Sequence, residues 1–355
     1  MAVTKVLVVD DSLTMRALFS TTLESVANLV VVGAAADADE AREMIAELRP
    51  DVITLDIEMP GMNGIDFLEE IMSTRPIPVV MLSTLTQKGA DETLRALELG
   101  AVDYFAKPTK ATPDEFKKLS AKLCKLVAAA AKTQPKKYSS GAIGTQSESS
   151  ASGAAVDAFN WNGNFIAVSA SVGGSVAING LLSIWPIDCP PTIILQQLEE
   201  GLSVPFAARL NKAIRPNVKM AVDGAKLEQG NVYILSHPDK HGVVDRWPGG
   251  SIRLVDRDPI NGARPSADLL FSSLAKVGGA NVIGALLSGT GSDGVAGLNA
   301  LRQSGGLTLC QAPGDAMVPE TVEAAIAKGA VQHQLPIAKL AELMLDKCKG
   351  NESAA

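Results

Sequence analysis

This 355-residue sequence predicts two tandem α/β units, each a parallel sheet with helices wound on both faces. Three observations carry that prediction. Short apolar runs alternate with amphipathic stretches through residues 6–127, and the same alternation resumes at residue 165. Between them lies TQPKKYSSGAIGTQSESSASGAAVDA, rich in Ser, Gly and Ala and without apolar periodicity. So long a loop is uncommon inside one compact domain. The expected boundaries are therefore 1–125 for the first domain, 126–162 for a flexible linker and 163–348 for the second domain.

In the first unit, residues 6–9, 29–32, 52–55, 79–82 and 104–106 read as five short strands. Residues 13–23, 41–48, 67–72 and 94–99 space their apolar side chains along one helical face, and a last helix runs through Phe116, Leu119, Leu123 and Val127. Right-handed crossovers bring every strand's C-terminal end to one edge of a doubly wound five-stranded parallel sheet, where such sheets bind ligands. In the second unit, strands are expected at 165–168, 192–195, 232–235, 282–287 and 307–310, and helices at 206–214, 269–275 and 321–327. Residues 242–255 place WPGGS between short alternating runs, which reads as a β-hairpin inserted into a second doubly wound domain.

Chemistry enters at the strand ends. Asp10 and Asp11 follow the first run, and Asp56 follows the third in DVITLDIEMPGMNG. Neighbouring parallel strands bring these carboxylates together, and crowded like charges are costly unless a cation bridges them. An oxygen-only donor set selects a hard ion such as Mg²⁺, which commonly accompanies phosphate. Ser83 ends the fourth run and Lys107 the fifth. A hydroxyl and an ammonium at the same edge suit an incoming phosphoryl group, and a central carboxylate can accept it as an acyl phosphate. In the second unit, IAVSASVGGS puts Ser171 at a sharp strand-to-helix turn, either as an exposed nucleophile or as a helix cap. LLSGTGSDGVAG puts Asp293 in a glycine-rich loop after a later strand, again as a site residue or a cap.

Composition narrows the function classes. The net charge of −7 argues against nonspecific nucleic-acid binding and against a basic membrane-facing patch. No apolar run reaches the ~18 residues of a membrane span, and MAVTKVLVVDDS lacks the apolar core of a signal peptide. Four scattered cysteines form no CxxC pair. A cytoplasmic protein with neither membrane insertion nor a nucleic-acid partner is expected.

The motifs VVDDS, LDIEMPGMNG, MLST and AKP resemble those of the receiver domain of two-component response regulators. The resemblance implies that Asp56 is the phosphoacceptor, that Asp10, Asp11 and Asp56 hold Mg²⁺, that Ser83 and Lys107 contact the phosphoryl group, and that Tyr104 is the aromatic switch. A sensor histidine kinase would be the partner. The second unit, with SASVGGS and SGTGSDG in that order, resembles the catalytic domain of the chemotaxis protein-glutamate methylesterases. That family hydrolyses glutamyl methyl esters and deamidates glutamines on chemoreceptors with a Ser-His-Asp triad. Its unphosphorylated receiver packs over the serine's edge.

By that resemblance, Ser171 and Asp293 are triad members. The histidine position departs from the pattern: where the family has Gln-His, this chain has Gln196 and Gln197. An amide cannot shuttle a proton near pH 7. Further departures are Thr290 for the usual methionine, Glu199 and Glu200 for prolines, and APGDAMVPET in place of the family's Val-Val-aromatic-Gly-Met-Pro stretch. His237 and His241, in HPDKHG, are the candidate substitute bases. The expected output is therefore phosphorylation-dependent partner binding with little or no hydrolysis. The alternative is an active methylesterase and glutaminase acting on chemoreceptors.

Overall fold

The structure is a computed structural model, which describes residues 3–84, 86–108, 113–133 and 158–350. The chain divides into two compact units, Met1–Ser152 and Gly153–Ala355.

In the first unit, strands β1 (Thr4–Val9), β2 (Leu29–Ala35), β3 (Val52–Asp56), β4 (Val79–Ser83) and β5 (Asp103–Ala106) form one parallel sheet in the order β2-β1-β3-β4-β5. All five expected strands are present. Helices α1 (Leu13–Glu24), α2 (Ala38–Leu48), α3 (Gly64–Thr74), α4 (Gln87–Glu98) and α5 (Pro113–Ala130) connect and cover them. β1, β3 and β4 are buried almost throughout, as a sheet covered on both faces requires. α5 continues past residue 125 because Leu126, Val127 and Ala130 are buried. The stretch expected to be a linker otherwise falls largely outside the described residues. The strand order reverses beside β1, so the crevice between the ends of β1 and β3 is the switch point.

The second unit has a seven-stranded, wholly parallel sheet. Its strands are β6 (Phe165–Ala170), β7 (Thr192–Gln196), β8 (Asn217–Met220), β9 (Asn231–Leu235), β12 (Val282–Leu286), β13 (Leu307–Gln311) and β14 (His333–Leu335), ordered β14-β13-β12-β6-β7-β9-β8. The predicted hairpin is β10 (His241–Val244) against β11 (Ile252–Val255), antiparallel, with His241 opposite Val255. Helices α6 (Gly174–Leu182), α7 (Glu200–Ala213), α8 (Ala267–Val277), α9 (Val295–Gln303), α10 (Glu320–Ala327) and α11 (Ile337–Cys348) complete it. Phe165, Ile193, Leu195, Tyr233, Phe271 and Leu298 lie in its core. The order reverses beside β6, so the loops after β6 and β12 share this sheet's switch-point crevice. No helix among the described residues is long and apolar enough to cross a membrane.

Candidate functional site

Each unit concentrates its chemistry at its own switch point. In the first, ligand oxygens of Asp10, Asp11 and Asp56 lie within 4.8 Å of one another. Lys107 Nζ sits 2.7 Å from both Asp10 Oδ2 and Asp56 Oδ2. Asp10 and Asp56 are buried, whereas Asp11 is exposed. Burial pushes the Asp56 carboxyl up to about 6; Lys107 opposes the rise and the Asp10 charge adds to it. Burial works against the charge on Lys107, but the two carboxylates outweigh it and raise its pKa. Among the described residues Lys107 is the cation paired with the Asp10 and Asp56 carboxylates, while Arg16 bonds the backbone carbonyls of Asp10 and Asp11, so the carboxylates remain short of positive charge and offer oxygen donors. The arrangement therefore fits Mg²⁺.

Ser83 ends β4 and Tyr104 lies in β5. Ser83 Oγ lies 2.6 Å from Thr93 Oγ1, which itself donates to Gly89 O at 2.6 Å. The Ser83 hydroxyl therefore bonds to α4. Tyr104 is buried, 7% exposed.

In the second unit, Ser171 follows β6 directly. Its N–H donates to Ser288 O at 3.0 Å, and its carbonyl accepts from Gln196 Nε2 at 3.0 Å and from Gly174 N at 2.9 Å. Gly173, at φ +70°, makes the turn into α6. The Ser171 hydroxyl caps no helix; Oγ accepts from Thr290 N at 3.1 Å. Ser288 Oγ donates to Val172 O at 2.9 Å and accepts from Val318 N at 2.9 Å, clamping the serine turn to the segment before α10.

Asp293 lies in the loop before α9 but binds the start of α8. It accepts from Ser266 Oγ (2.7 Å), Ala267 N (2.8 Å) and Asp268 N (3.1 Å). Asp268 reciprocates by accepting from Gly297 N in α9 at 2.8 Å. Burial, with the Asp293 charge adding to it, raises the Asp268 carboxyl above its ordinary value. Gln197 is exposed, and its Nε2 donates to Pro265 O at 3.3 Å. Ser171, Gln197 and Asp293 line one cavity of about 20 Å³ together with Ser288, Gly289, Thr290 and Thr321. The three sequence-selected residues thus converge, yet their side chains share no hydrogen bond among the described residues.

Neither candidate substitute base reaches this cavity. His241 is fully buried: Nδ1 accepts from Ser266 N at 3.1 Å, and Nε2 lies 3.2 Å from Asp258 O. A donor facing Nδ1 and an acceptor facing Nε2 assign the neutral Nε2–H tautomer. Both ring nitrogens are therefore committed to structure. His237 Nδ1 accepts from Asp239 N within its own loop. The cavity lining contains no imidazole.

Two family models match the chain: CheB methylesterase over residues 166–344 and response regulator receiver domain over residues 6–118. A protein-glutamate methylesterase/protein-glutamine glutaminase from Caulobacter vibrioides is 44% identical over 346 residues, covering 98% of each chain. One from Rhizobium johnstonii is 43% identical over 341 residues, covering 96% of this chain and 95% of that one. This chain belongs to the CheB methylesterase family. Among solved structures, the CheB methylesterase catalytic domain of Thermotoga maritima aligns with a TM-score of 0.50 at 26% identity, over 52% of this chain and 98% of that one. The family's sheet is the seven-stranded sheet described above, and its receiver is the five-stranded one.

Sequence reading missed Ser266, Ser288 and Thr321 in the second site. Ser288 and Thr321 lie in stretches already marked for other residues, and only tertiary packing gives each of the three hydroxyls its role.

Proposed function

We propose that this protein is a phosphorylation-controlled response regulator whose CheB-type output domain binds its partner and has lost most or all of its hydrolytic activity. The observation that carries this reading is the cavity around Ser171: Gln197 and Asp293 line it, and no imidazole does. Gln197 stands where the family resemblance places the triad histidine, and its amide is spent on Pro265 O. A serine hydroxyl without a base stays protonated and weakly nucleophilic.

The input follows from the acidic cluster. Asp56 attacks the phosphorus of a phosphohistidine or small acyl phosphate; the P–O bond to Asp56 forms as the bond to the donor breaks. Mg²⁺ held by Asp10, Asp11 and Asp56 would offset the charge that builds on the phosphoryl oxygens. Lys107, already bonded to Asp56, stays beside the new acyl phosphate. The Ser83 hydroxyl can leave Thr93 for a phosphoryl oxygen, which gives α4 a two-state contact. A chemotaxis histidine kinase is the partner this input calls for, and a methyl-accepting chemoreceptor is the output partner that the relatives' activity suggests.

A second reading, an active methylesterase and glutaminase, is favoured by the relatives' names and by the presence of both Ser171 and Asp293. The first test is phosphorylation. Acetyl phosphate with Mg²⁺ should add one phosphoryl mass to the full chain and none to Asp56→Ala, and receptor capture should change on phosphorylation. No mass gain by the parent protein would remove the input half of the proposal.

A further inference from the structure

Thr321 is the second residue of α10, and its backbone N–H donates to Gly289 O at 3.1 Å, tying the helix start to the loop after β12. The residue is 5% exposed and lines the Ser171 cavity. The hydroxyl oxygen has no hydrogen-bond partner among the described residues. A buried hydroxyl left unpaired costs on the order of 1–3 kcal/mol, so such atoms are rare and call for an explanation. Of the buried side-chain atoms in that condition, this is the one whose residue lines the cavity.

Gly289 fixes where the hydroxyl lies. A β-carbon at Gly289 would stand 2.4 Å from Ser171 Oγ and 3.1 Å from Thr321 Oγ1. Both hydroxyls therefore border one point, kept open because residue 289 has no side chain. The cavity of about 20 Å³ holds a single water-sized group. Thr290 N–H is directed at the same place, 3.1 Å from Ser171 Oγ.

We infer that Thr321 is a further ligand-binding residue of this site: beside Thr290 N–H, its hydroxyl donates to the carbonyl oxygen of a side-chain ester or carboxamide presented to Ser171. The ligand class rests on the proposed receptor-binding reading. The chemistry of the lining selects a neutral group. Its donors are hydroxyls, an amide and backbone N–H groups, and its only charge among the described residues is Asp293, which repels a free carboxylate. The site therefore prefers the methyl ester or the amide over glutamate itself.

Two measurements test this on the full chain. The first is a set of crystal structures of the parent protein, Thr321→Val and Thr321→Ser, each soaked in acetamide, the smallest carboxamide. The carbonyl oxygen should lie within hydrogen-bond distance of Thr321 Oγ1 and Thr290 N in the parent protein and in T321S, and should be lost in T321V. An acetamide-free cavity in the parent protein, with Thr321 Oγ1 turned onto a protein acceptor, would overturn the inference. The second is calorimetric titration with a receptor helix peptide carrying glutamine at the methylation position. T321V should weaken binding about three- to tenfold, the effect of one neutral hydrogen bond, while T321S stays within about twofold. Equal affinity for T321V and the parent protein would also overturn it. If no peptide binds the parent protein, the receptor-binding reading fails, and the crystals still decide the role of Thr321.

Discussion

Replacing Gln197 with histidine should restore hydrolysis, and the geometry sets the scale. An ionised carboxylate offers about four acceptor sites. Asp293 uses three of them, on Ser266 Oγ, Ala267 N and Asp268 N. One remains to orient an imidazole introduced from the end of β7. On the other side, Ser171 Oγ accepts from Thr290 N, which leaves its own proton free for the new base. Gln197→Ala or Gln197→His alike loses a 3.3 Å bond to Pro265 O at an exposed position, worth no more than about 1 kcal/mol. A positioned general base contributes roughly 10²–10⁴ in rate, or about 3–5 kcal/mol of barrier. In an unrelated serine hydrolase, loss of the triad histidine costs about 10⁶ in kcat. Methanol release from methylated receptor should therefore rise at least about a hundredfold in Gln197→His, and Gln197→His combined with Ser171→Ala should return to background. A folded Gln197→His protein that releases no more methanol than the parent would refute the reasoning, because it would show that Asp293 and Ser171 cannot be bridged from position 197.

Two further outcomes follow from the surrounding contacts. In metal-free protein the Asp56 carboxyl should titrate near pH 6, read from its ¹³C shift, and Mg²⁺ should move that midpoint down. Because the folded-state value lies above the ordinary 3.8, the folded receiver binds the extra proton, so stability falls as pH rises from about 4 through about 6, by at most about 3 kcal/mol. A midpoint near 4 without metal would contradict the burial argument. Ser266→Ala removes both the α8 cap to Leu269 N and the bond to Asp293, and should cost about 1–2 kcal/mol in denaturant titration; an unchanged midpoint would show that the reciprocal capping of α8 and α9 is not what holds Asp293.

The sheets were legible because buried parallel strands are continuous apolar runs. VLVV, VITL, VVML and FIAV announce themselves, and their ends carry the acidic residues and the serine. β8 and β14 were not legible: NVKM and HQL are short edge strands with one buried residue between them, so no apolar run marks them. The convergence of Ser171, Gln197 and Asp293 was implied by the family resemblance, and the strand order of the second sheet accounts for it. What each side chain bonds to could not be read that way. Ser83 turns onto Thr93, Asp293 caps a helix that precedes it in the chain, and His241 is locked between Ser266 N and Asp258 O. These partners are set by packing between distant segments, which leaves no trace in local pattern. Thr321 is the extreme case, an ordinary helix-start threonine whose role depends on Gly289 across the crevice.

Methanol release by the phosphorylated parent protein, measured beside Ser171→Ala on the same methylated receptor, bears most directly on the loss of hydrolysis. The two rates should coincide near background. Vigorous release that disappears with the serine hydroxyl would contradict the account.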